Sequence, residues 1–247
     1  MDSLRDYLLE HSVYPDEEFN RAAEAAIKTL VVPPQNNIFD YYKGPATLER
    51  KVWFTSDTHF GHQKDFLYEP RGFASSEKHD AAIIENWNSI VGPDDEVYHL
   101  GDVMLGDNEH GIKCLEQLNG RIHILIGNHD TDTRIQLYRQ CKNVVSIDCA
   151  LRKKFGKYHV WLSHYPTITA NYDDDKPWAK HMVNIYGHTH QQTKFYSDNP
   201  YMYCVCLDAH DNKPVSLEQI VEDVKEKKIA LDNSIGGQPW FLSLIHI

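Results

Sequence analysis

The sequence predicts an α/β domain preceded by a helical extension. From Lys51 onward, short apolar runs alternate with amphipathic stretches, five of those runs lead into side chains able to ligate a metal, and residues 1–50 follow a pattern of their own. The candidate strands are Val52–Ser56, Glu96–Leu100, Ile122–Ile126, Val144–Ile147, His159–Ser163 and Val183–Tyr186. A later hairpin pairs Thr193–Ser197 with Tyr201–Leu207 across Asp198-Asn199-Pro200. Between the first strands a helix spans about Ser76 to Val91. Its Ile83, Trp87, Ile90 and Val91 recur at i, i+4, i+7 and i+8, and Gly92-Pro93 ends it. Further helices are expected over Asn108–Leu118 and after Asp132. A capping box, Ser216-Leu217-Glu218-Gln219, opens one more through Ile220, Val221 and Val224.

The chain divides by pattern into an N-terminal helical extension (1–50), a main domain (51–230) and a C-terminal tail (231–247). In the extension, Asp16-Glu17-Glu18 places acids in the first turn of a helix that runs to Leu30, and Pro33-Pro34 stops it. It is expected to pack on the main domain or to bind a protein partner. The tail closes on Leu242-Ser243-Leu244-Ile245-His246-Ile247, which reads as an edge strand or a non-native end.

Composition narrows the class. The chain has 247 residues, 41% hydrophobic and 25% charged, which is ordinary globular usage and excludes wholesale disorder. No apolar run approaches the ~20 residues that span a bilayer, and the acidic opening predicts no secretory signal, so a cytoplasmic protein with no membrane partner is expected. The net charge of −11 disfavours nucleic acid held on a broad basic face. Five cysteines, none paired as Cys-x-x-Cys, read as reduced and mostly buried thiols.

Five strands carry chemistry at their ends. The first leads to Asp57-Thr58-His59, the next to Gly101-Asp102, and the third to Gly127-Asn128-His129-Asp130. Two more lead to His164 and to Gly187-His188-Thr189-His190. In open α/β sheets ligands gather at the carboxyl ends of strands, so these tips can meet in one crevice. Residues two apart on extended backbone face one side, which suits Asp57 with His59 and His188 with His190. Carboxylates and imidazoles with one amide, from Asn128, form a borderline-hard set that favours manganese, iron or zinc over calcium or Cu(I). Seven ligands, Asp57, His59, Asp102, Asn128, His164, His188 and His190, exceed one tetrahedral ion and suit two ions sharing a carboxylate. Two divalent ions against two aspartates leave a local charge near +2, so an acidic chain can still hold a phosphate.

These five elements, in this order, resemble the calcineurin-like metallophosphoesterases over roughly Lys51 to Ser216. The run Ser56-Asp57-Thr58-His59-Phe60-Gly61-His62 looks like the small bacterial and phage members. The resemblance implies a β-sandwich flanked by helices (αββα) with a dimetal centre at the strand ends. One ion would take Asp57, His59, His190 and a bridging Asp102; the other would take Asp102, Asn128, His164 and His188. The ions would be manganese, with iron, zinc or nickel as alternatives. His129 would protonate the leaving oxygen, Asp130 would orient its ring, and a metal-bridging hydroxide would attack phosphorus.

The Asp-Arg-Gly element of the phosphoprotein phosphatases is missing, since the chain reads Gly101-Asp102-Val103-Met104-Leu105-Gly106. Arg71, in the Pro70-Arg71-Gly72-Phe73 turn, is the candidate to grip phosphate instead, and His62 is a candidate cleft residue. The reading is a phosphodiesterase or phosphatase acting on a small phosphate ester, such as a nucleotide. A nuclease of the same chemistry and an inactive metal-containing binding protein are the alternatives. His99 reads as a core histidine, Arg152-Lys153-Lys154 with Lys157 as a solvated hairpin tip, and Asp173-Asp174-Asp175 as an acidic loop.

Overall fold

The computed structural model describes residues 50–156, 158–167 and 182–234. The expected helix within residues 1–50, the Asp173-Asp174-Asp175 loop and the 242–247 tail lie outside the described residues. Among those described, no helix is long and apolar enough to cross a membrane. All five cysteines are free thiols, with Cys149 exposed and the others buried.

Two sheets make the frame. The first has the order β4-β3-β2-β1-β9, with β1 (Val52–Thr55), β2 (Glu96–His99), β3 (Arg121–Leu125) and β4 (Val144–Asp148) parallel and the short β9 (Val215–Ser216) antiparallel to β1. The second has the order β5-β6-β7-β8. There β5 (Ala150–Phe155) runs antiparallel to β6 (Tyr158–Ser163), while β7 (Val183–Tyr186) and β8 (Met202–Cys204) continue parallel to β6.

Alternation along the first sheet splits its side chains between two cores, as a period of two requires. Trp53, Val97, Ile122 and Ile124 join the helix-side cluster with Ile83, Trp87, Leu115 and Tyr138. Those partners come from α2 (Ser76–Asn88), α3 (Asn108–Leu115) and α4 (Asp132–Tyr138). Phe54, Tyr98 and Leu125 point the other way and pack between the sheets against Val160, Leu162, Ile185 and Tyr203. A short α1 (Asp65–Tyr68) follows β1, and α5 (Leu217–Ser234) contributes Ile220 and Val224 to the inter-sheet core. Each of α2, α3 and α4 opens on a side-chain cap, from Ser75, Asp107 and Thr131. The Ser216 hydroxyl likewise accepts from the Gln219 N–H at 3.2 Å, as the capping box predicts.

The strands fall where the apolar runs place them, with two corrections. The Thr193–Ser197/Tyr201–Leu207 hairpin reduces to one antiparallel bridge, Phe195 to Tyr203. A 3-10 turn over Tyr196–Asp198, with Ser197 at φ 46°, and another at Leu207–Ala209 interrupt the two arms. Arg152-Lys153-Lys154 lies inside β5 rather than at a hairpin tip. Arg152 and Lys154 are exposed in alternation with Leu151, Lys153 and Phe155, which are half-buried, so Arg152 and Lys154 form the outer row of an edge strand while Lys153 lies over the Tyr98 ring.

Candidate metal centre

The loops that leave β1, β2, β3, β6 and β7 meet at one edge of the sandwich. Backbone hydrogen bonds lace them together: Asp57 N–H donates to Gly101 O at 3.0 Å, and Gly187 N–H to His164 O at 2.9 Å. The loops approach so closely that side chains are excluded. A Cβ on Gly127 would sit 2.2 Å from Asp102 Oδ1, and one on Gly187 would sit 2.7 Å from Asp57 Oδ2. Asp57, His59, Asp102, His188 and His190 all hold left-handed backbone, with φ between 47° and 70°. That conformation is costly for non-glycine residues and persists where surrounding contacts over-determine it.

Each buried aspartate has one oxygen anchored and one presented. Asp57 Oδ2 accepts the His188 N–H at 2.9 Å and the Cys206 S–H at 3.2 Å, whereas its buried Oδ1 has no hydrogen-bond partner. Asp102 Oδ1 accepts the His129 N–H at 2.8 Å, leaving Oδ2 at 3.8 Å from His59 Nε2 and 3.5 Å from His164 Nε2. Asp57 Oδ1 faces His59 Nε2 at 3.8 Å and His190 Nε2 at 3.6 Å, and the two imidazole nitrogens are 3.2 Å apart. On the other side, His164 Nε2 lies 3.0 Å from Asn128 Oδ1. The His188 ring lies edge-on to that of His164, with centroids 5.0 Å apart.

Two imidazoles are turned by partners on their far nitrogens. His164 Nδ1 donates to Leu100 O at 2.7 Å, and His190 Nδ1 to Asp208 Oδ2 at 3.0 Å, which frees both Nε2 lone pairs. The ligand atoms of Asp57, His59 and His190 lie within 4.8 Å of one another, as do those of Asp57, Asp102 and His164. An orphaned buried carboxylate oxygen among imidazole nitrogens, two of them freed by partners on the far nitrogen of their rings, fits divalent cations.

Electrostatics act on the members of the cluster in opposite directions. Burial pushes the Asp102 carboxyl up to about 6, with Asp57 and Asp130 adding like charge. Burial also raises Asp57, but the nearby His190, His59 and His164 outweigh it and hold that carboxyl below its ordinary value. His59 is driven well below its ordinary value by burial, and His188 is lowered by the same cause, so both favour the neutral, ligating form. Burial lowers His190 as well, yet the Asp208 hydrogen bond and the Asp57 charge win and raise it.

Two assignments made from the sequence are corrected. Arg71 is buried and occupied: its Nε and Nη2 form a fork on Asp208 at 3.0 and 2.8 Å, Nη2 also donates to Asp57 O at 2.9 Å, and Nη1 faces His79 Nε2 at 3.0 Å. The guanidinium therefore braces the back of the site and has no fork left for phosphate. Asp130 is turned away from the His129 ring. Its Oδ2 accepts the Asp102 and Gly127 N–H groups at 2.7 and 2.8 Å, and its Oδ1 accepts the Val103 N–H at 3.2 Å and the Tyr138 hydroxyl at 2.8 Å. It ties the second and third loops together. His62 sits beside the centre, its ring 6.0 Å from that of His59, and its Nδ1 accepts the Lys64 N–H at 3.1 Å. The His129 ring stands edge-on to His59 at 5.5 Å. His99 is a core histidine, with Nε2 bonded to Thr58 Oγ1 at 2.9 Å.

Asp208 is the principal group the sequence reading missed. It follows the β8 region as a polar residue after an apolar run, the same signal that marked the other tips.

Residues 51–205 match the calcineurin-like phosphoesterase superfamily domain, and the chain belongs to that family. An uncharacterized protein of Methanocaldococcus jannaschii is 31% identical over 188 residues, which cover 73% of this chain and 94% of that one. The Gene 66 protein of Mycobacterium phage D29 is 31% identical over 197 residues, 71% of this chain and 98% of its own. Among solved structures, a protein of unknown function from Aquifex aeolicus shares the fold with a TM-score of 0.52 and 24% identity, over 70% of this chain and 98% of that one.

Proposed function

We propose that the protein hydrolyses a small phosphodiester or phosphomonoester, such as a nucleotide, with two manganese ions held by Asp57, His59, Asp102, Asn128, His164, His188 and His190. The observation that carries this reading is the pairing of one anchored and one presented oxygen on both Asp57 and Asp102. When bound, the ions supply a water-derived nucleophile and neutralise charge on the phosphoryl oxygens. Asp102 Oδ2 stands between the His59 and His164 nitrogens, the position of a shared ligand. His129 has its backbone fixed by Asp102 and a half-buried ring at the rim, where it donates a proton to the leaving oxygen. His62 lines the same rim and orients substrate.

The test compares wild type and His129→Ala on an alkyl and an activated aryl phosphodiester, with manganese. On the alkyl ester the variant is expected to lose about 10²–10⁴-fold in rate; on the aryl ester, whose leaving group needs little protonation, the loss is small. Equal losses on both esters contradict the proton-donor role. No turnover by wild type on any of a panel of mono- and diesters contradicts the enzyme reading.

A further inference from the structure

A second group of ligating side chains lies away from the dimetal cluster, where α2 meets α3. Asp80 projects from α2, while His110 and Cys114 stand four apart on α3 and so share one face. Their ligand atoms all lie within 4.8 Å of one another. His110 Nε2 is 2.7 Å from Asp80 Oδ2 and 3.5 Å from Cys114 Sγ. A tetrahedral zinc ion with bonds of about 2.05 Å to nitrogen and 2.3 Å to sulfur sets an N···S edge of roughly 3.5 Å. The imidazole–thiol pair already has that spacing. The carboxylate–imidazole pair has to open by roughly half an ångström to match the corresponding O···N edge. The His110 side chain is 42% exposed, so its ring can swing outward and an ion can enter beside it.

We propose that Asp80, His110 and Cys114 form a second, separate site for one zinc-class divalent ion, with water in the fourth position. Asp80 is prepared for the role. Arg71 can only donate, so its bond to His79 Nε2 leaves the His79 Nδ1–H to donate to Asp80 Oδ1 at 2.8 Å. That bond fixes the carboxylate's direction, as hydrogen bonds to ligating carboxylates do. Asp80 Oδ2 also accepts the Gly61 N–H at 2.9 Å, which places the ion under the loop that carries His59. Sulfur in the donor set selects zinc, cobalt or cadmium over manganese and magnesium, so the two sites take different ions.

Binding is a proton exchange. Burial holds the Cys114 thiol at about 12, so without an ion it stays protonated. On binding, the S–H bond breaks, an S–metal bond forms and one proton leaves to solvent. His110 carries its remaining proton on Nδ1 so that Nε2 can ligate.

The test is a cobalt(II) titration of the full chain preloaded with manganese. One equivalent is expected to bring up a sulfur-to-cobalt charge-transfer band in the near ultraviolet, with release of one proton. Cys114→Ser is expected to abolish the band, and His110→Ala, at a partly exposed position, to weaken cobalt binding at least tenfold. Cys206→Ser, which alters the thiol beside Asp57, should leave the band intact. Absence of the band in wild type, its survival in Cys114→Ser, or its loss in Cys206→Ser overturns the proposal.

Discussion

The two sheets bring different chemistry to the same edge. The first supplies Asp57, Asp102 and Asn128 with a single imidazole from His59; the second supplies His164, His188 and His190, with Asp208 behind them. The first sheet's aspartates are almost fully buried, whereas His188 is exposed and the His190 side chain is 36% exposed. Anchoring crosses between them: Asp57 of the first sheet is held by the backbone of His188 and the thiol of Cys206 from the second. Neither sheet builds the cluster by itself. A buried carboxylate pair without neighbouring imidazoles would be driven toward protonation, and half-exposed imidazoles without a braced carboxylate would lack direction.

Prising the sheets apart at the site is expected to have the largest effect. Gly187→Ala places a Cβ 2.6 Å from Ser56 Oγ and 2.7 Å from Asp57 Oδ2. It should cost about 1–3 kcal/mol of stability and, through displaced ligands, on the order of 100-fold in hydrolysis rate. Gly156, at φ 57° in the β5–β6 turn, has open space where a Cβ would lie, with no atom within 4 Å. Gly156→Ala should therefore cost only about 1 kcal/mol and leave activity intact. Denaturant unfolding and rate measurements on the pair separate the two.

Loosening the second sheet's imidazole comes next. Asp208→Asn removes the carboxylate that fixes His190 and leaves the buried Arg71 guanidinium without its charge partner. Metal affinity measured by calorimetry should drop about 10–100-fold. Unchanged affinity would show that His190 keeps its direction without Asp208.

The smallest effect at neutral pH concerns the first sheet alone and grows only as the solution is acidified. Burial holds His99 at about 4, against an ordinary 6.5. Between those values the unfolded chain binds the proton more readily than the folded one, so stability falls as the pH is lowered through that window. The full span corresponds to roughly 3 kcal/mol. His99→Gln keeps a donor for Thr58 and should flatten the acid limb of a stability–pH curve; an unaltered limb assigns the dependence elsewhere.

The strand tips were legible because parallel α/β strands leave their ligands at one edge, and local runs such as Gly101-Asp102 and Gly187-His188-Thr189-His190 mark each tip without reference to the others. The bracing was not legible. Arg71 and Asp208 lie 137 residues apart, and nothing near either one in sequence tells a buried fork from a solvated turn arginine. Asp130 follows His129 directly, which suggested a ring partner, yet its carboxylate is taken up by backbone N–H groups that only the folded loops bring near. Strand β5 was hidden by its own edge position, since Arg152 and Lys154 on the outer row mask a two-residue alternation.

The proposed function requires two cations to share the cluster through Asp102. Manganese binding to the full chain, followed by calorimetry and by electron paramagnetic resonance, tests it most directly. Wild type should bind two equivalents per chain with spin coupling between them, and Asp102→Asn should lose the coupled signal. A single uncoupled equivalent in wild type, or coupling that survives Asp102→Asn, would contradict it.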